Sequence, residues 1–295
     1  MLRLDDVTKV FKTGTFGGAE LTAVRGVTLE VRPGEVVSLI GESGSGKTTV
    51  GRMILRLTAV TDGTITFEGQ DVTALRRREL RGYYKHVQGV FQDPFSSYNP
   101  VFKVDRVFEM IRASYLGGLA RTEWRAKLRA SLEAVALEPA DVLGKFPHQL
   151  SGGQLQRLLI SRALLLDIRF LVADEIISML DASTRIDVLN LLGDLKERGL
   201  GILFVTHDLS LGNYISDRTV ILRRGKVVEM GGTENVFGRP AHPYTKMLLA
   251  SVPQLHERWH GERSAAADLA AAQLARHESQ DGPLVEVEED HFVAL

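Results

Sequence analysis

Gly41-Glu42-Ser43-Gly44-Ser45-Gly46-Lys47-Thr48 decides the fold: it is a complete G-x-x-x-x-G-K-[ST] loop. The run before it, Glu35-Val36-Val37-Ser38-Leu39-Ile40, is short, apolar and β-branched, which predicts a buried strand. The run after it, Thr48 to Leu57, has Val50, Met53, Ile54 and Leu57 at helical spacing. Strand, glycine loop and helix together are the arrangement this motif needs. The glycines let the backbone curl so that successive N–H groups face phosphate oxygens. The helix that starts at the loop adds the positive end of its dipole. Lys47 can then reach β- and γ-phosphates, and the Thr48 hydroxyl can ligate Mg²⁺.

Working outward, a second strand closes the chemistry. Arg169-Phe170-Leu171-Val172-Ala173-Asp174-Glu175 is a continuous apolar run ending in two carboxylates. Such runs belong to parallel strands covered on both faces, and ligands collect at their carboxyl ends. Asp174 is therefore expected to hold the Mg²⁺ shell, and Glu175 to orient and deprotonate a water. Gly201-Ile202-Leu203-Phe204-Val205-Thr206-His207 is another buried strand with a polar end. There His207 can donate a hydrogen bond to a γ-phosphate oxygen. Leu150-Ser151-Gly152-Gly153-Gln154 opens a helix with Leu155, Leu158, Leu159 and Leu164 on its inner side. Serine and glycines at a helix start form a cap and, through the same dipole, a second anion site.

The remaining chain reads in order. Residues 1–34 predict an antiparallel β start, with Lys12 to Glu20 as a Gly/Thr-rich loop. Phe11 or Phe16 is available to stack on an adenine, and an ordinary core or loop role suits either equally. Asp62-Gly63 predicts a turn before a strand from Thr64 to Gly69. Thr73 to Arg81 predicts a basic helix whose Arg76-Arg77-Arg78 is a solvated face, since no aromatics interleave it. Val87 to Phe91 predicts a strand, and residues 101–165 a helical insertion between strands. Asp181 is placed to cap a helix from Ala182 to Lys196. Thr219 to Leu222 and Lys226 to Glu229 form a hairpin. After Arg239-Pro240-Ala241-His242-Pro243-Tyr244-Thr245, a helix runs from Lys246 to Ala250. Residues 256–282 are polar and alanine-rich, expected as a loose helix or flexible segment, and Leu284 to Glu288 as a small strand.

Composition limits the function. The 295 residues carry a formal net charge of −1, against a general polyanion binder. Without cysteine there is no disulfide, thiolate metal site or iron–sulfur cluster, which fits a reducing cytoplasm. No signal-peptide pattern opens the chain and no run is long and apolar enough to cross a bilayer, so any membrane part must come from other chains.

Taken together these motifs resemble the ATP-binding subunit of an ABC transporter over residues 1–235. GESGSGKT looks like the Walker A motif, Gln92 holds the Q-loop position, and LSGGQ is the family signature. FLVADE resembles Walker B, Ser178 to Asp181 the D-loop, and His207 the switch histidine. The resemblance implies an α/β P-loop NTPase core with an antiparallel β subdomain, a helical signature-motif subdomain at about 93–165, and a C-terminal extension over 236–295. It implies two subunits paired head to tail, each ATP held between one Walker A loop and the other signature. By it, Gly41, Ser43, Gly44, Ser45, Gly46, Lys47, Thr48 and Thr49 bind this chain's ATP, with Phe11 on its adenine. Ser151, Gly152, Gly153 and Gln154 then serve the partner's ATP, and Asp181 joins the binding set. Thr48, Gln92 and Asp174 hold Mg²⁺, while Glu175, His207, Lys47 and Gln92 are catalytic.

QDPFSSYNP and the tail AHPYTKMLLASVP look like the oligopeptide/dipeptide-importer branch, whose members also serve oligosaccharides and nickel. This implies a second ATPase subunit, a paralogue more than a copy. Two membrane permeases and an extracytoplasmic solute-binding protein complete the complex, at the cytoplasmic face of the plasma membrane, with no nucleic acid. The alternative is a soluble ABC-type ATPase acting on DNA or ribosomes. Such proteins usually carry two cassettes or a long coiled coil, and this chain shows one cassette and no sustained heptads. One departure stands out: DEIISMLD has Ile176 and Ile177 where the family usually has proline and threonine, which puts the stiffness of that loop in question.

Overall fold

In the computed structural model, residues 1–12, 19–251 and 282–294 are described; Phe16 and most of the 256–282 tail lie outside them. The chain divides into two compact units, Met1–Ala74 with Leu203–Leu295, and Leu75–Ile202.

The first unit opens with β1 (Leu2–Lys12) and β2 (Glu20–Val31), paired antiparallel. Leu2, Leu4 and Val7 are buried on β1, opposite Val31, Leu29 and Val27 on β2. After β3 (Val36–Ile40) and α1 (Lys47–Ile54) come β4 (Asp62–Phe67) and β5 (Gln70–Asp71). These strands make a sheet of order β2-β1-β4-β5. Asp62 and Gly63, expected as a turn, belong to β4 itself: Thr8 of β1 pairs with Asp62.

The Thr73–Arg81 helix does not form. Thr73 is tied back to the sheet: its N–H donates to Asp71 Oδ1 at 2.7 Å, and its hydroxyl accepts the Ile65 N–H at 3.1 Å. Glu79 Oε2 accepts the Arg76 N–H at 2.7 Å and the Leu80 N–H donates to the Arg76 carbonyl at 3.2 Å, so helical bonding begins only at the end of the segment. The Thr73 bonds keep the preceding backbone out of the helical ladder. Only a short helix, α2 (Leu80–Tyr83), follows. Arg76, Arg77 and Arg78 are exposed, as the solvated-face reading expects.

The second unit continues with β6 (Val87–Val90), α3 (Asp105–Tyr115), α4 (Arg121–Glu133), α5 (Pro139–Val142), α6 (Gly152–Leu164), β7 (Phe170–Asp174) and α7 (Ala182–Glu197). β6 and β7 pair in parallel, and every residue of β7 is buried, which explains its unbroken apolar run. β8 (Gly201–Thr206) starts here, its Gly201 N–H donating to the Arg169 carbonyl. It continues in the first unit and is followed by α8 (Leu209–Ile215), β9 (Arg218–Arg223), β10 (Lys226–Gly232), α9 (Thr233–Gly238), α10 (Pro243–Ala250), β11 (Leu284–Glu288) and β12 (His291–Ala294). Within the first unit the strands run β11-β12-β10-β9-β3-β8, with β3 and β9 parallel. The tail hairpin β11–β12 thus extends the sheet that carries the glycine loop. Among the described residues no helix is long and apolar enough to cross a membrane.

Candidate functional site

The glycine loop lies between β3 and α1, as its flanks predict. Its glycines are needed for different reasons. A β-carbon on Gly41 would stand 2.1 Å from the Leu222 carbonyl oxygen of β9, so the loop can seat there only without a side chain. Gly46 has φ +108°, and a β-carbon on it would stand 2.5 Å from the Ala23 carbonyl oxygen. The Gly225 N–H, at the β9–β10 turn, donates to the Ser45 carbonyl at 2.8 Å. The loop is therefore clamped by β2 and by the β9–β10 turn.

The start of α1 is open to an anion. Gly46 supplies no side-chain cap and no acidic residue occupies the first turn. Gly46 thus has no counterpart to the Ser151, Asp181 and Asp208 side chains that cap α6, α7 and α8. Lys47 is buried at 5% exposure, and its ammonium donates to the Gly41 and Glu42 carbonyls at 2.7 and 2.8 Å. The Ser45 hydroxyl is buried with no hydrogen-bond partner among the described residues. A buried cation, an unsatisfied buried hydroxyl and an uncapped helix start fit a phosphate chain. Thr48 and Thr49, next along α1, are half-buried, and Ser43 and Gly44 are exposed at the loop's tip.

The same unit holds His207 and Phe11. His207 is exposed just past the end of β8, and Asp208 behind it caps α8 by accepting the Ser210 and Leu211 N–H groups. Phe11 is 37% exposed near the end of β1, with the Lys9 ammonium 4.9 Å from its ring centre. An exposed aromatic face on a paired strand suits stacking more than core packing.

The second unit holds the rest. Asp174 ends β7 at 5% exposure. Glu175 follows with φ +50°, a left-handed conformation that costs a non-glycine residue roughly 1–2 kcal/mol. Sequence reasoning had no signal for this. The turn is held by Ser178, whose N–H and hydroxyl both donate to the Glu175 carbonyl, at 3.2 and 2.9 Å. Ile176 and Ile177 are 1% and 2% exposed, so the two atypical residues anchor the segment in the core. Gln92 is exposed beyond β6, where the Asp93 side chain accepts the Phe95 N–H.

At the start of α6 the Ser151 hydroxyl accepts the Gln154 N–H at 3.2 Å, and the Gln154 side chain accepts the Ser151 N–H at 3.0 Å. This reciprocal capping box fixes both side chains. Asp181 caps α7: its carboxylate accepts the Thr184 N–H at 3.0 Å and the Ser183 and Thr184 hydroxyls at 2.6 and 2.8 Å. These bonds, the Ser183 hydroxyl foremost, hold its carboxyl well below the usual carboxylate range. Gly152 faces Leu180 at ordinary contact distance, and Gly153 lies under Thr184. The signature start and the D-loop helix thus form one packed unit.

Hard oxygen donors from a threonine, a glutamine and one carboxylate are the ligand set that Mg²⁺ prefers when phosphates complete its shell. Thr48 belongs to the first unit, Gln92 and Asp174 to the second. The donor chemistry fits the ion.

The ABC transporter family profile matches residues 24–178, and the profile for the oligopeptide/dipeptide transporter C-terminal region matches residues 228–278. The dipeptide transport ATP-binding protein DppF of Lactococcus lactis subsp. cremoris is 40% identical over 299 residues, covering 99% of this chain and 93% of its own length. The oligopeptide transport ATP-binding protein OppF of Streptococcus mutans is 42% identical over 255 residues, covering 85% and 82%. Among solved structures, the dimeric ATP-binding cassette MJ0796, described in a post-hydrolysis state bound to ADP and Pi, superposes with a TM-score of 0.70 at 30% identity, covering 79% of this chain and 99% of that one.

Proposed function

This chain belongs to the ABC transporter family of ATP-binding proteins, and on that footing we propose that it hydrolyses ATP to drive uptake of an oligopeptide or dipeptide through a membrane permease. One observation carries the reading: the uncapped, lysine-bearing start of α1 and the LSGGQ start of α6 occur in a single chain whose tail matches the peptide-transporter C-terminal region. The first feature binds a triphosphate, and the tail specifies the transporter branch. Peptide-import relatives imply membrane permease and solute-binding partners.

The site roles follow from donor chemistry. Lys47 and the loop N–H groups bind the β- and γ-phosphates, and Phe11 stacks on the adenine. Thr48, Gln92 and Asp174 hold Mg²⁺, which when bound offsets charge on the phosphates. Glu175, half-buried just past β7, accepts the proton of an attacking water. His207 donates a hydrogen bond to a γ-phosphate oxygen of the transferred phosphoryl group. Ser151, Gly152, Gly153 and Gln154 present N–H groups and the α6 dipole to a nucleotide bound by a second ATPase subunit, which is a paralogue. Asp181 stiffens the α7 start behind them. The exposed Phe95, Phe102 and Met110, in the second unit, offer apolar surface to a permease's cytoplasmic helix. That docking places the chain at the cytoplasmic face of the membrane.

Reconstitution tests the whole reading. The chain, its permeases, a paralogous ATPase and the solute-binding protein in lipid vesicles should show ATP hydrolysis that rises with added peptide and accompanies peptide uptake. Uptake of oligosaccharide or nickel without peptide uptake would overturn the cargo. Hydrolysis stimulated by DNA or ribosomes instead would overturn the transporter reading.

A further inference from the structure

The motif Ala241-His242-Pro243-Tyr244 has a structural logic that the ATPase chemistry does not use. His242 caps α10: its Nδ1 accepts the Tyr244 N–H at 3.0 Å. Pro243 takes the first helical position, where its fixed φ is pre-set and its missing N–H costs nothing. The next residue, Tyr244, is thereby turned into the core at 1% exposure, against Ile40, Leu209, Ile221, Val228 and Val236. Ile40 is the last residue before the glycine loop. The Arg223 guanidinium lies 5.3 Å from the Tyr244 ring centre.

The ring carries its hydroxyl to the loop itself. Tyr244 Oη accepts the backbone N–H of Glu42 at 3.1 Å, across 202 residues of sequence. Burial pushes the Tyr244 phenol up to about 12, so it stays a neutral hydroxyl at ordinary pH.

What holds Tyr244 there is a buried carboxylate. Glu229, on β10 with no exposure, accepts the Ala241 N–H at 2.8 Å and the His242 N–H at 3.1 Å. His291 of β12, 1% exposed, places Nε2 2.7 Å from Glu229 Oε1. A buried carboxylate needs such donors, because leaving it unmatched is costly. The tail hairpin therefore completes the anchor of the His-Pro-Tyr turn, and the turn reaches the loop.

We infer that Tyr244 is a positioning residue for ATP binding: the C-terminal extension, anchored at Glu229, fixes the first half of the phosphate loop through the Glu42 N–H. This rests on the ATP-binding reading above. With the bond in place the loop keeps one conformation before nucleotide arrives. Without it, part of the binding energy is spent on ordering the loop.

The test is Tyr244→Phe in the full chain, which removes one oxygen and keeps the ring. Titration with ATP should show affinity weakened about two- to tenfold, the size of one hydrogen bond. Amide hydrogen exchange of the peptide containing Glu42 should quicken in the nucleotide-free protein, with exchange in β4 unchanged. Glu229→Gln should move both readouts in the same direction. Unchanged affinity together with unchanged exchange at Glu42 would overturn the inference, and so would a uniform rise in exchange that includes β4, which marks a general core role. If the unmodified chain binds no ATP, the functional reading fails, and the exchange measurement still judges the Tyr244 contact by itself.

Discussion

Thr184 lies directly over Gly153: a β-carbon on the glycine would stand 2.5 Å from Thr184 Cγ2. The threonine cannot turn aside easily. It is β-branched, and its hydroxyl is engaged with Asp181 at 2.8 Å. The start of the signature helix is thus registered against the start of α7 by the lack of one methyl group.

Gly153→Ala should therefore force the α6 start away from α7. Overpacking of this kind costs about 1–3 kcal/mol. ATPase activity of the assembled complex should fall by at least tenfold. Thr184→Ser removes the offending methyl and keeps the hydroxyl for Asp181. The double variant should recover much of both the activity and the melting temperature. A Gly153→Ala protein with normal activity would contradict the packing argument.

Glu175→Gln keeps the side chain's size and its half-buried place after β7, and removes the base. ATP binding should persist, while turnover in the assembled complex drops about 10²–10⁴-fold. Rapid-quench measurement of the hydrolytic step separates this from a product-release effect. Turnover close to normal would strip Glu175 of its role.

Phe11 is placed to contribute one stacking contact, worth about 0.5–1.5 kcal/mol. Phe11→Ala should raise the Kd for ATP about two- to tenfold. The melting temperature should barely move, since the ring is 37% exposed. Phe11→Trp should restore the affinity. Equal Kd values for all three proteins would assign the adenine to another surface.

Asp181 yields a pH prediction. Its folded carboxyl titrates below the usual range because the Ser183 hydroxyl, and then the Thr184 N–H and hydroxyl, bond the ionised form. Its contribution is present above the unfolded carboxylate range and is lost as pH falls toward the depressed folded value. Thermal unfolding of the protein and of Asp181→Asn, compared from pH 7 downward, should show a difference that is steady near neutrality. That difference should shrink once pH drops below about 4, the ordinary carboxylate value. A difference that grows on acidification would reverse the assignment.

The Ile176-Ile177 pair illustrates how sequence and structure divide the explanation. As sequence, the pair is a departure from the usual proline and threonine, with an open question about stiffness. As structure, both residues are buried and the Ser178 bonds to the Glu175 carbonyl close the turn, so the segment is anchored by burial in place of ring rigidity. The Thr73–Arg81 stretch shows the converse. Its composition suits a helix, yet Thr73 bonds to Asp71 and Ile65, and helical bonding is confined to the segment's end.

Gly41–Thr48, Phe170–Glu175 and Leu150–Gln154 could be read directly because binding a phosphate chain is a local task. Consecutive N–H groups, a lysine and a hydroxyl must follow one another along the backbone, and period and residue type record that order. The left-handed turn at Glu175, the fit of Thr184 over Gly153, the pairing of Glu229 with His291 and the bond from Glu42 to Tyr244 belong to the folded chain alone. The last three depend on which side chains packing brings together across long stretches of chain, and hydrophobic pattern specifies which face is buried without specifying what meets it there.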